Sequence, residues 1–389
     1  MADAPEIEQL PMKEGVIPEG RYQIWRLEEE DTIGHGLIIR TINKIKVGIE
    51  ASFLRCEDER DSRVVHHNLS CFNTESFLRS HFVIEWNKSF WVAVEKIDHS
   101  LHEYRNSHYP FFKLHVQENS ASAIPDQEIQ LSDIRLHLNY QNIIRDIIRG
   151  MCQLHQKEGT HGILSSKYIM IINHRAKFAF IRNKSSVQDD FTNLKTIFEE
   201  VLVERPNDQA IIENVLGGAR LDDHKELEHF RLCADIKIPI NLRKLYFHPL
   251  LMSSGERFLL PLRTYTRLRY RRLTVAVYAG RYNGNNFQWQ GGVTQRNQQD
   301  PYRQFLVDGG YQDNPWGQFK FVRNIIAHIN ENRPQQTLLE AVVEKDLSSM
   351  FPEFLTRVYD FFYLHEITTS VCLHVGEDQS EFTRNTQIL

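Results

Sequence analysis

The chain has 389 residues, long enough for two domains with a sizeable core, and its 41% hydrophobic and 25% charged content is that of a soluble globular protein. A net charge of −5 excludes a molecule that is basic all over, so any nucleic-acid contact has to come from a local positive patch. Five widely spaced cysteines with no CxxC pair argue for free thiols and against a zinc site, and no apolar run reaches the length of a membrane span.

The N-terminal MADAPEIEQLPMKEG is polar and acidic, unlike a signal peptide, so a cytoplasmic location is expected, and residues 1–20 read as a flexible tail. From Arg21 to about Glu95 the chain runs in short β-like stretches: RYQIWRL, HGLIIRTI, KVGIEASFL, HFVIEW and FWVAVEKI. These predict a mostly antiparallel sheet, with charged stretches such as EDERDSR as its loops. Residues 98–106 and 140–157 read as helices, HGILSSKYIMIINHRAKFAFI as a loop with two short strands, and DDFTNLKTIFEEVL as a further helix. ELEHFRLCADI and LRKLYFHPLL follow as short helices.

Between Arg257 and Tyr282 lie seven arginines (257, 263, 267, 269, 271, 272 and 281) and no acid, with Tyr265, Tyr270, Tyr278 and Tyr282 interleaved. Arginine grips phosphates and tyrosine offers a platform for unpaired bases, so Arg267, Arg269, Arg271 and Arg272 are candidate RNA contacts. A solvated face or a dimer contact would carry the same composition. NGNNFQWQGGVTQRNQQD, residues 283–300, reads as a flexible loop that could approach RNA, and GGYQ at 309–312 as a turn. The many histidines, His66 and His67 among them, show no ligand spacing with Cys or acids.

Asn314-Pro315 is a helix start: an amide side chain that can cap free N–H groups, then a proline at the first helical position. Phe319, Val322, Ile326 and Ile329 recur at helical spacing as a buried stripe, and Pro334 stops the pattern. Lys320, Asn324 and His328 lie four apart on the other side, flanked by Arg323. One helix face thus offers a cation that can fork onto a phosphate, an amide that can orient, and an imidazole that can exchange protons near neutral pH. Tyr311 precedes the helix and can reach the same face.

Tyr311, Gln312 and Asn314, then Phe319-Lys320-Phe321-Val322, Arg323-Asn324, His328, Phe351-Pro352 and Val358-Tyr359 resemble the kinase-extension nuclease (KEN) domain shared by ribonuclease L and the endoplasmic-reticulum stress-sensor kinase-endoribonucleases. The Arg-x4-His spacing is also similar to that of a second helical ribonuclease superfamily (HEPN). One departure matters: many KEN members carry an Asp six positions before the Arg, where this chain has Gly317. Upstream, WVAVEKIDHSLHEY, LHQKEGTHGILSSKYIMI, DDFTNLKTIFEEVL and FHPLLMSSGERFLLPLRTY resemble the hinge, catalytic-loop region, central helix and end of a protein kinase.

Phosphoryl transfer needs a glycine loop, a Lys on the phosphates, a catalytic Asp and two metal ligands. Here the pattern near Gly34-His35-Gly36 is incomplete, Glu50 occupies the Lys position, His161-Gly162-Ile163 replaces His-Arg-Asp, Tyr168 replaces the metal-binding Asn, and AKFAFIRNK has no Asp. The resemblance therefore implies an α+β chain: a two-lobed kinase-like fold with a small β lobe and a larger helical lobe, lacking phosphotransfer, over 21–256, then an all-α KEN domain over 257–389. It implies a metal-independent endoribonuclease that leaves a 2′,3′-cyclic phosphate. His328 would be its general acid, Tyr311 the other proton-transfer partner, and Arg323 and Asn324 the clamp on the scissile phosphate. No cofactor or metal is expected, and ATP or ADP loses its usual support. The expected partners are RNA and a second copy of the chain, or a related kinase-endoribonuclease as heterodimer partner, with no DNA. The alternative is a non-enzymatic pseudokinase–KEN scaffold that binds RNA or regulates an active relative.

Overall fold

The computed structural model describes residues 22–28, 32–42, 45–72, 74–107, 112–114, 134–182, 185–202, 224–237, 239–271, 278, 282, 287–329, 331 and 339–361. The fold is mixed α and β, and the chain divides into two compact units, Met1–Tyr109 with Asn142–Ile197, and Pro110–Gln141 with Phe198–Leu389. Among the described residues no helix is long and apolar enough to cross a membrane.

The first unit is built on β1 (Tyr22–Glu28), β2 (Ile33–Ile42), β3 (Ile45–Cys56), β4 (Ser80–Trp86) and β5 (Ser89–Glu95). They form one antiparallel sheet in the order β1-β2-β3-β5-β4, as the alternating pattern predicts. Ile38, Ala51, Phe53, Phe82, Ile84, Trp91 and Ala93 share one buried face, because every second residue of a strand points the same way. The sequence EDERDSR is not the loop its charge suggests: it opens helix α1 (Glu59–Cys71). Asp58 caps it by accepting from the Asp61 backbone N–H at 2.7 Å, and Val65 and Leu69 are fully buried along one stripe.

Strand β6 (His99–Ser100) leads into α2 (Leu101–Asn106) through a reciprocal cap between Ser100 and Glu103. Strands β7 (Phe112–Leu114) and β8 (Ile134–Leu136) pair antiparallel within the second unit. Helix α3 (Leu138–Gln156) follows, then β9 (Ile169–Ile172), β10 (Arg175–Phe178) and α4 (Val187–Leu202), with β10, β9 and β6 forming a three-stranded sheet. Arg175 binds Asp146 of α3 in forked geometry, two bonds of 2.6 Å. Buried Asp190 of α4 accepts from the His155 ring, the His161 backbone N–H and the Ser185 hydroxyl at 3.0–3.1 Å.

The second unit is mainly helical: α5 (Lys225–Cys233), α6 (Pro239–Leu245), a single 3-10 turn Pro249–Leu251, α7 (Ser254–Arg271), α8 (Gln290–Thr294), α9 (Pro301–Gly309), α10 (Pro315–His328), α11 (Glu340–Met350) and α12 (Phe354–Tyr359). Its apolar core gathers Phe319, Val322 and Ile326 with Val343, Phe354, Val358 and Tyr278. Within that core sits an ion cluster. Arg257 of α7 forks onto Glu226 of α5 at 2.6 and 2.7 Å, reaches Glu344 of α11 at 2.6 Å, and donates to the Pro249 carbonyl at 3.1 Å. Burial alone would raise the Glu226 carboxyl, but Arg257 outweighs it and holds it well below the usual carboxylate range. Glu344 is lowered for the same reason.

Candidate functional site

Helix α10 starts as its first residues dictate. The Asn314 side chain accepts from the Gly317 backbone N–H at 2.7 Å, and Pro315 takes the first helical position. Phe319, Val322, Ile326 and Ile329 are buried as their spacing predicts, and Phe321 and Ile325 join them. The core therefore wraps more than half the helix and leaves one strip open. Lys320 is exposed, and Arg323, Asn324 and His328 are half-buried. The rigid side of the helix is what aims this strip.

Three of the four candidate catalytic residues meet directly. Asn324 Nδ2 donates to the Tyr311 hydroxyl oxygen at 2.8 Å, and Asn324 Oδ1 accepts from Arg323 at 2.8 Å. The row fixes orientation: with its oxygen accepting, the Tyr311 hydroxyl is free to turn its own proton outward. The Arg323 guanidinium lies 4.7 Å from the centre of the Tyr265 ring, and its buried Nε has no acceptor among the described residues. His328, one turn further along the helix, stands apart from this row and pairs through Nδ1 with Glu331 at 2.8 Å. A carboxylate on Nδ1 leaves Nε2 as the nitrogen presented outward.

The loop that carries Tyr311 is held by a segment with no regular structure expected of it. Residues 283–300 read as flexible, yet within the described part Trp289 is 4% exposed and α8 begins at the next residue. The Trp289 and Gln290 backbone N–H groups donate to Asp313 Oδ1 at 2.9 and 3.2 Å, the Trp289 ring N–H to the Gln312 carbonyl at 3.1 Å, and the Gln290 amide to the Tyr311 carbonyl at 2.6 Å. One buried tryptophan in a run of Asn, Gln and Gly is the signal that marks it. The ring of Tyr311 lies against Gly309, where any side chain would collide with it. Gly317 is closed in the same sense: a Cβ there would run into the Gln312 backbone carbonyl. Aspartate has no room at this position in this backbone.

The basic stretch is less uniform than its composition suggests. Arg257 is 2% exposed and saturated by carboxylates, so it adds nothing to a surface patch. Tyr278 is 1% exposed, packed edge-on against Phe319 and Phe361, and burial pushes its hydroxyl far above the ordinary value, so it is no platform for a base. Tyr265 instead stacks on Trp316 and lies beneath Arg323. The side chains of Arg267, Arg269 and Arg271, and all of Arg272, lie outside the described residues.

The expectation that no histidine has ligand spacing with a cysteine fails twice, for His67 and Cys71 on α1 and again at α5. His229 and Cys233 sit four apart on that helix, and with His248, just before the 3-10 turn, they bring three ligand atoms within 4.8 Å of one another. The spacing on the helix is visible in the sequence; the third residue, nineteen positions on, is not. Searched against family models and against curated proteins, the chain matches none of them.

Proposed function

We propose that the chain is a metal-independent endoribonuclease of the KEN type, attached to a kinase-like region that has lost phosphotransfer. The observation that carries this reading is the hydrogen-bonded row Arg323–Asn324–Tyr311, with His328 one turn away on the same rigid helix. RNA supplies its own nucleophile, the 2′-OH. The protein then needs a proton acceptor for that hydroxyl, a donor for the leaving 5′-oxygen, and a cation for the charged phosphorane. In this reading Arg323, held by Asn324 and the Tyr265 ring, binds a phosphate oxygen with its remaining N–H groups. Tyr311 takes the 2′-OH proton on its hydroxyl oxygen as its own hydroxyl proton passes to solvent. His328, steadied by Glu331, gives its proton to the 5′-oxygen as the P–O5′ bond breaks, leaving a 2′,3′-cyclic phosphate.

The five-stranded antiparallel sheet followed by helices supports a kinase-like region; in the proposal that region spans 21–256 and the KEN domain 257–389. On that reading Ile163 and Tyr168 stand where phosphotransfer needs Asp and Asn, so labelled ATP with Mg²⁺ should transfer no phosphate to the chain. Dimerisation and a cytoplasmic site of action belong to the same proposal. A second reading, a scaffold that binds RNA without cutting it, draws on Gly317, whose crowded backbone excludes the carboxylate that many KEN members place there. Incubation of the purified chain with a stem-loop RNA in EDTA separates the two, provided the thermal transition is recorded in the same buffer. Cleavage ending in a cyclic phosphate supports the nuclease; binding without cleavage by a folded, dimeric chain supports the scaffold.

A further inference from the structure

We propose that His229, Cys233 and His248 form a binding site for a single thiophilic divalent cation, zinc by its ligand set, which clips helix α5 to the turn preceding α7. Three observations carry this. The first is convergence: His229 and Cys233 share one face of α5, and His248 reaches them from the residue that caps the turn Pro249–Leu251. Imidazole nitrogen with thiolate sulfur is a donor set that selects zinc over magnesium or calcium.

The second is spacing. Zn–S and Zn–N bonds of about 2.3 and 2.05 Å at tetrahedral angles put sulfur and nitrogen about 3.6 Å apart, and two nitrogens about 3.4 Å apart. Cys233 Sγ lies 3.7 Å from His229 Nδ1, and His229 Nδ1 lies 2.8 Å from His248 Nε2. The first edge is already in place, and the second needs the two rings to part by about half an ångström.

The third is orientation. His229 Nε2 meets Asp360 Oδ1 at 3.0 Å, which turns Nδ1 toward Cys233 and His248. A carboxylate behind a ligating histidine is the usual means of fixing its tautomer. The rim is open enough for entry: His229 and Asp360 are about one-fifth exposed, and Cys233 is half-buried. Three protein ligands leave the fourth position to water.

The same chain holds an internal contrast. His67 and Cys71 also lie four apart on one helix face, 3.6 Å from atom to atom, but they are exposed and no third ligand joins them among the described residues. Helical spacing alone therefore does not make the site.

On metal binding, Cys233 gives up its thiol proton to solvent. Without metal, the Leu250 N–H donates to His248 Nδ1 at 3.1 Å, which leaves the His248 proton on Nε2, facing His229 Nδ1. For Nε2 to bind a cation that proton moves to Nδ1, and the Leu250 cap is released. The Leu250 cap and the His248–His229 and Cys233–His229 hydrogen bonds are exchanged for three metal–ligand bonds.

Co²⁺ titration of the full, chelator-treated chain tests this by absorption, because a tetrahedral thiolate site gives near-ultraviolet charge-transfer and visible d–d bands. One Co²⁺ per chain with both bands, displaced by Zn²⁺, is expected, together with a Zn²⁺-dependent rise in Tm. Cys233→Ala should abolish the charge-transfer band and His229→Gln should weaken Zn²⁺ binding at least tenfold, while Cys71→Ala leaves both unchanged. His248 is fully buried, so the decisive substitutions are those at the half-buried Cys233 and His229. A wild-type spectrum without a thiolate band, or a Tm equally raised by Zn²⁺ in Cys233→Ala, overturns the proposal and leaves the cluster as a hydrogen-bonded chain ending on Asp360.

Discussion

Two arginines of the second unit show how partners decide what a charge can do. Arg257 is buried and surrounded: Glu226, Glu344, Ser348 and a backbone carbonyl occupy its donors. Arg323 is half-buried and under-used: it has one bond to an amide oxygen, an aromatic ring beneath it, and no carboxylate among the described residues. A desolvated guanidinium already neutralised by two carboxylates has nothing left for a ligand. One held in place by neutral groups keeps its charge for an incoming anion. In sequence the two are the same letter, and only the distant partners separate a junction from a site.

The largest expected effect lies on the open side of this comparison. On the proposed mechanism His328→Ala should lower RNA cleavage about 10²–10⁴-fold, the usual loss when one proton donor goes. The pair with Glu331 is exposed, so its removal should cost stability less than about 1 kcal/mol. Cleavage kinetics beside a thermal melt check this. Undiminished cleavage by the variant removes His328 from the chemistry and leaves α10 with a phosphate clamp only.

On the closed side, Arg257→Met should destabilise the fold by about 3–5 kcal/mol, because it strands buried Glu226 without its ion-pair partner and leaves Glu344 with Arg135 alone. Urea unfolding at neutral pH measures it. A shift under about 1 kcal/mol would mean that water reaches the junction and that the two arginines differ less than their burial suggests.

Acid sharpens the same contrast. Glu226 and Glu344 have carboxyls held below their unfolded value by Arg257. A carboxyl depressed in the folded state stabilises above its unfolded pKa and loses that contribution as pH falls through its folded one. Wild-type stability should therefore fall as pH drops below about 4.5, the range where free glutamate titrates. In Arg257→Met the buried carboxyls lose their main cation and shift upward, so the slope over that range should flatten or reverse. Denaturant midpoints of both proteins across this pH range give the comparison, and parallel curves would show that the ionisation of Glu226 is not what Arg257 supports.

Much of this was legible in the sequence. The alternating runs gave antiparallel strands, and the α10 stripe gave both the buried face and the open one. What failed were segments whose fate is set by one or two distant contacts. EDERDSR looks like a charged loop because its helix buries only Val65, Leu69 and two small polar side chains. The Asn- and Gln-rich run conceals a clamp because few of its residues, Trp289 and Val293 foremost, anchor it in the core. Arg257 and Tyr278 entered the basic patch by composition, and burial against Glu226, Glu344 and Phe319 removes them from it. Local pattern reports what a segment buries on average; it does not report which far-off group a polar atom meets.

The finest test divides the two things Arg323 offers, charge and forked geometry. Arg323→Lys keeps the charge but loses the fork and the flat contact with Tyr265. Arg323→Gln loses the charge and keeps a donor. On single-stranded RNA each phosphate contact contributes about −0.7 to the slope of log K against log salt. Arg323→Gln should therefore flatten that slope by about 0.7, and Arg323→Lys should leave it unchanged. The lysine variant should still bind about 2–10-fold more weakly, the cost of one hydrogen bond and a cation–ring contact. Neither change should move unfolding stability by more than about 1 kcal/mol, since a half-buried arginine without a carboxylate leaves no stranded ion behind. Fluorescence anisotropy with an unpaired oligoribonucleotide across a salt series reads both quantities. An unchanged slope in Arg323→Gln, joined to a large loss of stability, would place Arg323 beside Arg257 as a structural cation and empty the proposed site of its phosphate clamp.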